Sequence, residues 1–248
     1  MTPILVLDEV DSTNEEARRR YSSGERGPVW IVARHQSAGR GRRGRAWTSG
    51  IGNLYASGMY PLEVSAAKAA TLSFVAALAV ADLCDAFVDP ETVKLKWPND
   101  VLVNDAKISG ILLESARGGE GRLEIAVGVG VNLAEFPTDA DRPATSIKAN
   151  LALGHSAPPT IEVAARILAD AFDARLAVWR EAGFPGIRDA WLARAIGVGG
   201  AVEARLPSET IKGRWAGLGP DGALMVDLSD GTTRAISAAD VFFTPNPS

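Results

Sequence analysis

The chain has 248 residues, a formal net charge of −4 and a pI near 5.3, with 46% hydrophobic and 23% charged residues. That is an ordinary globular composition, long enough for one medium folding unit plus a small one and for a sizeable core. The acidic balance argues against a broad basic face for nucleic acid, and a single cysteine, Cys84, excludes an internal disulfide or a cysteine-based metal cluster.

The start, MTPILVLDEVDS, lacks the basic end and long apolar core of an export signal. The apolar, uncharged stretch Ala69 to Ala81 is too short to span a bilayer, so a cytoplasmic chain without membrane contact is expected. Ile4–Leu7 reads as a strand, and Asp11-Ser12-Thr13-Asn14-Glu15-Glu16 as a helix start. Ser12 or Thr13 is the cap there, with Glu15 or Glu16 as capping-box partner, and the helix ends near Ser23-Gly24. Val29–Ala33 is a strand that runs straight into an arginine-rich loop, and Asn53–Tyr60 is a third strand. Val64–Phe87 is alanine-rich and apolar on most faces, which predicts one helix packed inside the protein.

Val93–Trp97 and Val101–Val103 read as strands around a Trp97–Asp100 turn, and Asn104-Asp105 turns the chain into a strand over Lys107–Glu114. Leu123–Leu133 is an apolar strand interrupted by Gly128 and Gly130, followed by helices over Thr160–Trp179 and Ile187–Ala195. After Gly197-Val198-Gly199-Gly200 come short strands, Ala201–Leu206, Ile211–Leu218, Leu224–Leu228 and Thr232–Ile236. Their spacing predicts an all-β barrel of about 50 residues. The expected fold is α+β, divided into residues 1–196 and a small β unit over 197–248.

Three stretches suit chemistry. In AGRGRRGRAW (38–47), Gly39, Gly41 and Gly44 let backbone amides approach a ligand, while Arg40, Arg42, Arg43 and Arg45 supply planar donor forks for phosphate. Four cations on one loop repel each other, so the loop is expected to order only when an anion neutralises it. A solvated basic loop is the competing reading, and the Walker spacing is absent. In the second stretch, Lys96 to Glu114, strand alternation aligns Lys107 with Ser109 and Ile111. Lys107 is either a clamp for a carboxylate and a phosphate or a surface lysine. Asp100 either orients a nucleophile or satisfies turn amides. In the third, Gly128 and Gly130 mark either a close approach by a ligand or tight helix packing. Ser12, Thr13, Asn14 and Gln36 are neutral hydrogen-bonders suited to an uncharged polar ring, although capping explains Ser12 or Thr13 equally well. Trp47 stacks on a base or packs in the core. His35 and Cys84 are read as structural, and His35 and His155 lie too far apart for metal-ligand spacing.

Taken together, DSTN (11–14), HQSAGRGRRGRAW (35–47), NLYAS (53–57), KWPNDV (96–101), KISGILLE (107–114) and GVGVN (128–132) resemble the biotin protein ligases, also called biotin–[acetyl-CoA-carboxylase] ligases. The resemblance implies a class II synthetase-like mixed sheet flanked by helices and a small SH3-like β-barrel. It implies a two-step reaction with ATP as co-substrate and Mg2+ carried on it: biotin is activated to biotinyl-5′-AMP, then passed to a lysine of a biotin carboxyl carrier protein or domain. In that scheme Lys107, Arg40 and Arg42 are catalytic. Ser12, Thr13, Asn14, Gln36, Gly39, Arg40, Gly41, Arg42, Lys107, Gly110 and Gly130 bind biotin, with the last two glycines leaving room for its rings. Arg42, Arg43, Arg45, Trp47, Asn99, Asp100, Lys107 and Asn132 serve the adenylate. No protein metal cluster is implied. A homodimer is common in such families, whereas the N-terminal DNA-binding domain of some members is not expected, since the Ile4 strand begins the catalytic part. The rival readings are a lipoate–protein ligase, whose arginine–triple-glycine signature is missing, and a nucleic-acid-binding module.

Overall fold

The structure, a computed structural model, describes residues 1–119, 122–138 and 142–243. Strand β1 (Ile4–Val10), helix α1 (Thr13–Ser22) and strand β2 (Val29–Gln36) form a βαβ unit, and β1 and β2 are accordingly parallel. The later strands are joined antiparallel: β3 (Leu54–Leu62), β4 (Val93–Lys96), β5 (Asp100–Val103), β6 (Ala106–Arg117) and β7 (Leu123–Val131). The result is a mixed seven-stranded sheet in the order β1-β2-β3-β7-β6-β5-β4.

Alternation along β7 shows how its two faces divide. Ile125, Val127, Val129 and Val131 enter the main core, while Ala126, Gly128 and Gly130 point the other way. The core face is covered by α3 (Leu72–Asp85) and α4 (Ile161–Leu192). On the opposite face α1 lays Ala17 and Tyr21 on Ile31, Met59 and Ala126, and Tyr21 Oη donates to the Ile125 carbonyl at 3.0 Å. Because α1 covers only part of that face, the rest is open beside Gly128 and Gly130.

The expected single helix over 64–87 is two, α2 (Ala66–Ala70) and α3, broken at Thr71. Thr71 Oγ1 donates to the Lys68 carbonyl at 2.7 Å and accepts from Trp179 Nε1 at 2.8 Å, so the break docks α4. The helical stretch Ala66–Asp85 is longer than the uncharged run read from the sequence and is long and apolar enough to cross a bilayer. Its apolar character is accounted for by burial between the sheet and α4. The two helices expected over 160–195 are joined in α4 across Gly183, whose φ of 67° breaks the helix just before Pro185.

Five short strands complete the chain: β8 (Ala201–Arg205), β9 (Thr210–Leu218), β10 (Leu224–Asp227), β11 (Thr233–Ile236) and β12 (Asp240–Phe243). They form an antiparallel sheet in the order β11-β10-β9-β8-β12. Strand β12 is not foreseen in the sequence. The core runs on into this sheet: Trp215 meets Trp191 edge-on at 6.2 Å and stacks on Phe243 at 5.1 Å. Trp97 Nε1 donates to the Gly222 carbonyl at 3.0 Å, seating the sheet against the Trp97–Asp100 turn.

Candidate functional site

Strand register sets the floor of the site. Lys96 of β4 lies opposite Asp100 of β5, Asp100 opposite Gly110 of β6, and Gly110 opposite Gly130 of β7. Directly opposed residues project to the same face, so these four form one row. Over Asp100, Gly110 and Gly130 opens a cleft of about 760 Å³. Every sequence-predicted site residue lines it except Gly39. Gly39 accepts the Trp47 amide at 2.9 Å, and a Cβ there would stand 2.7 Å from the Trp47 carbonyl; its part is to let the loop close on itself.

At the α1 end the lining is neutral and polar. Gln36 Oε1 accepts from the Thr13 amide at 2.9 Å, and Ser57 Oγ sits within hydrogen-bond distance of both Thr13 Oγ1 and Asn14 Oδ1. Asn14 Nδ2 donates to the Leu112 carbonyl and to Glu114. Ser12 holds the N-cap position but its side chain makes no cap bond, contrary to the capping-box expectation, and its hydroxyl is left to the cleft. All four of Ser12, Thr13, Asn14 and Gln36 are buried.

In the middle stands Lys107, in a different setting from the one strand alternation predicts. Leu102 pairs with Lys107 but Val101 pairs with Ser109, leaving Ile108 as an extra residue in β6. The bulge turns Ile108 and Ser109 into the core, both 0% exposed, and puts Lys107 on the face of Gly110. Lys107 Nζ reaches Asp100 Oδ1 at 2.6 Å and lies 5.5 Å from the centroid of the Trp47 ring. A second correction concerns the glycines. A Cβ on Gly130 would stand 2.5 Å from Trp47 Cε2, and one on Gly110 2.8 Å from Trp47 Cζ3. The room expected for ligand rings is therefore taken by the Trp47 indole, whose Nε1 is buried without a hydrogen-bond partner.

The arginine loop is a single tight turn, Arg42–Gly44, closed by the Gly41 amide on the Arg45 carbonyl at 2.7 Å. The protein itself supplies anions for most of its charge. Arg40 pairs with Glu15 at 2.6 Å and Glu114 at 3.2 Å, while Arg43 and Arg45 share Asp240 at 2.9 and 2.7 Å. Arg42 differs: its guanidinium donates to the neutral Asn99 Oδ1 at 3.2 Å and has no carboxylate partner among the described residues. Burial, reinforced by the neighbouring Arg43, pushes its pKa below the usual arginine value. Of the four, Arg42 is the one in need of an anion.

Asn99 and Asn132 are braces as well as lining. Asn99 holds both the amide and the carbonyl of Ile111, extending the sheet past the short β5. Asn132 Nδ2 donates to the Thr145 carbonyl at 3.0 Å, tying down the segment that follows β7. Among the described residues no group of three or more His, Cys, Asp or Glu side chains converges as a metal-ligand set. Sequence reading misses Asp240, which lies on the unforeseen β12, and Arg142, which also lines the cleft.

Comparison with known proteins agrees with this geometry. Residues 6–132 match the model of the biotin/lipoate A/B protein ligase family, and residues 198–244 match that of the biotin protein ligase C-terminal domain. The chain belongs to the biotin/lipoate A/B protein ligase family. It is 41% identical over 245 residues to the biotin–[acetyl-CoA-carboxylase] ligase of Paracoccus denitrificans, covering 96% of this chain and 99% of that one. The enzyme of the same name from Mycobacterium tuberculosis is 35% identical, over 95% of this chain and 87% of its own. In fold the chain is similar to the biotin protein ligase of Aquifex aeolicus solved in complex with biotin and ATP, with a TM-score of 0.79 at 24% identity over 98% and 100% of the two chains. Within this family member the contact of Asp240 with Arg43 and Arg45 joins the two matched regions, since β12 falls in the second and the arginine loop in the first.

Proposed function

We propose that the chain is a biotin–protein ligase: it activates biotin with MgATP to biotinyl-5′-AMP and transfers the biotinyl group to a lysine of a biotin carboxyl carrier domain. The observation that carries this reading is that one cleft brings together neutral hydrogen-bonders, a glycine floor, Lys107 and arginines. A ligand with an uncharged polar ring, a short apolar body and a carboxylate that must meet a phosphate fits that set. The names of the Paracoccus and Mycobacterium relatives support it.

In the first step a biotin carboxylate oxygen attacks the α-phosphorus, the bond from phosphorus to the bridging oxygen of the β-phosphate breaks, and pyrophosphate leaves. Two anions must approach, so Lys107 and Arg42 offset their repulsion and the charge that builds up at phosphorus. Arg40 is released from Glu15 and Glu114 to meet the carboxylate, and Trp47 moves off Gly110 and Gly130 to admit the rings and cover the adenylate. Ser12, Thr13, Asn14 and Gln36 hold the ureido group. In the second step the carrier's lysine amine attacks the acyl carbon, the acyl–phosphate C–O bond breaks, and AMP departs. Asp100 aids the incoming amine by taking the proton it loses. Arg43 and Arg45 hold the loop closed and shield the anhydride from water. Asn99 and Asn132 brace the nucleotide side.

The polar end argues against lipoate, whose dithiolane ring would leave buried hydrogen-bonding groups unmatched. The engagement of the loop by Glu15, Glu114 and Asp240 argues against a nucleic-acid arm. A cytoplasmic site of action, a homodimer and a division into units at residues 196/197 belong to the same proposal. The test is incubation of the pure protein with labelled biotin, MgATP and a carrier domain. Label on the carrier's lysine is expected, and its absence, with lipoate accepted in its place, would reassign the substrate.

A further inference from the structure

Behind the polar end of the cleft stands a residue outside its lining. Ser57, near the middle of β3, is 0% exposed. It shares a face with Gly128, its partner across the β3–β7 register. A Cβ on Gly128 would stand 2.5 Å from Asn14 Oδ1, so it is the missing side chain that lets Asn14 come down beside Ser57. Ser57 Oγ lies 2.8 Å from Thr13 Oγ1 and within hydrogen-bond distance of Asn14 Oδ1. One hydroxyl hydrogen thus faces two neighbours, and the rest of the network decides which receives it.

Asn14 Nδ2 donates to two acceptors, the Leu112 carbonyl at 3.2 Å and the Glu114 carboxylate at 2.7 Å. Neither acceptor carries a hydrogen, so the amide is locked with Nδ2 towards Glu114 and Oδ1 towards Ser57. Oδ1 carries none either, and Ser57 must donate to it. The 2.8 Å contact between Ser57 and Thr13 then takes its hydrogen from Thr13, since two bare oxygens at that distance repel. Gln36 Oε1 stands further from Thr13 Oγ1, at 3.2 Å, and already accepts the Thr13 amide at 2.9 Å. With its hydrogen spent, Thr13 Oγ1 offers only lone pairs to the cleft that Thr13 lines. We propose that Ser57 is a positioning residue: with Asn14 locked by Glu114, it commits Thr13 to accept a hydrogen bond, so the site demands a ring N–H there. The inference rests on the biotin reading given above. A ureido ring meets the demand, whereas a ring with oxygen at that position sets lone pair against lone pair.

The experiment uses the full-length protein without ATP. Titration calorimetry compares biotin with its two cyclic carbamate analogues, in which oxygen replaces one ureido N–H or the other. The wild type is expected to prefer biotin to at least one carbamate by about tenfold or more. In Ser57→Ala the Thr13 hydroxyl is free to turn and donate. Biotin is then expected to bind about tenfold more weakly, and the preference over that carbamate to fall by about as much. A change that merely loosened the fold would weaken both ligands alike and leave their ratio untouched. Ser57→Cys is nearly isosteric and a weaker hydrogen-bonder, so it keeps the test open should Ser57→Ala fail to fold. It is expected to shift the ratio in the same direction by a smaller factor. An unchanged ratio in the folded variants would overturn the inference, as would a wild type that binds biotin and both carbamates equally. A wild type that binds none of the three would instead overturn the functional reading.

Discussion

Lys107 Nζ lies 2.6 Å from Asp100 Oδ1, with the ammonium held over Gly110 at the centre of the cleft. The contact links β6 to β5 through a bulge, so the lysine is fixed by backbone register as well as by its ion pair. Lys107→Ala removes one of the two cations, the other being Arg42, assigned to the meeting of carboxylate and phosphate. Loss of such a preorganised group costs about 10²–10³ in rate. Pyrophosphate release in the presence of biotin is expected to fall by that much, while the thermal midpoint stays close to wild type because Lys107 is partly exposed. Near-normal release would remove Lys107 from the chemistry.

The face on which Lys107 stands shows where sequence reading succeeds and stops. That the strand exists follows from its β-branched and apolar residues, and the turn before it from Asn104-Asp105, which both take left-handed backbone angles, φ 49° and 61°. The extra residue at Ile108 has no local signature, yet it reverses the side to which Ser109 points. Trp47 is equally opaque: a tryptophan after an arginine loop is legible as a stacking group, but the two glycines it covers come from strands more than 60 residues further on. Strand β12 is short and adjoins the chain end, and it contributes Val241 to the core; its Asp240 acquires meaning only when the loop is seen beside it.

Ser109 offers a test of the bulge. Its hydroxyl is buried in the core and finds no hydrogen-bond partner. An unmatched buried hydroxyl costs about 1–3 kcal/mol relative to an apolar group of the same shape. Ser109→Ala is therefore expected to leave stability unchanged or raise it by about 1 kcal/mol in urea denaturation, with activity retained. A loss of more than 1 kcal/mol would mean that the hydroxyl has a partner and that β6 is placed differently.

Gly130→Ala tests the indole seat. The backbone of Gly130 is ordinary strand, so only the side-chain clash matters: the new Cβ would stand 2.5 Å from Trp47 Cε2. Trp47 must lift away, and the alanine methyl then intrudes on the floor that biotin's rings need. The expected outcome is an altered intrinsic tryptophan fluorescence together with biotin affinity lowered by about tenfold, equivalent to about 1.4 kcal/mol. Unchanged fluorescence would show that the indole does not rest on Gly130.

Asp240 makes the last prediction, because it is where the C-terminal sheet grips the loop. Burial alone would raise its pKa, but the hydrogen bond from Arg45 and the charges of Arg45 and Arg43 outweigh that and hold it below the usual aspartate value. A carboxyl depressed in the folded state contributes most above its unfolded pKa, near 3.9, and the contribution is lost as pH falls through the lower folded value. The grip is thus constant across neutral pH and is released only in acid. Asp240 is 34% exposed, and Arg43 and Arg45 are 35% and 59% exposed, so the pairs are screened by solvent and worth at most about 1 kcal/mol to global stability. The effect of Asp240→Ala therefore falls on the loop: several-fold faster escape of biotinyl-AMP from the enzyme at pH 7, with the melting temperature little changed. Raising the salt should bring the wild type towards the variant, since a Debye length shortened to about 3 Å at 1 M weakens exposed pairs first. Equal escape rates for wild type and variant at low salt would mean that Arg43 and Arg45 close the loop without the C-terminal sheet.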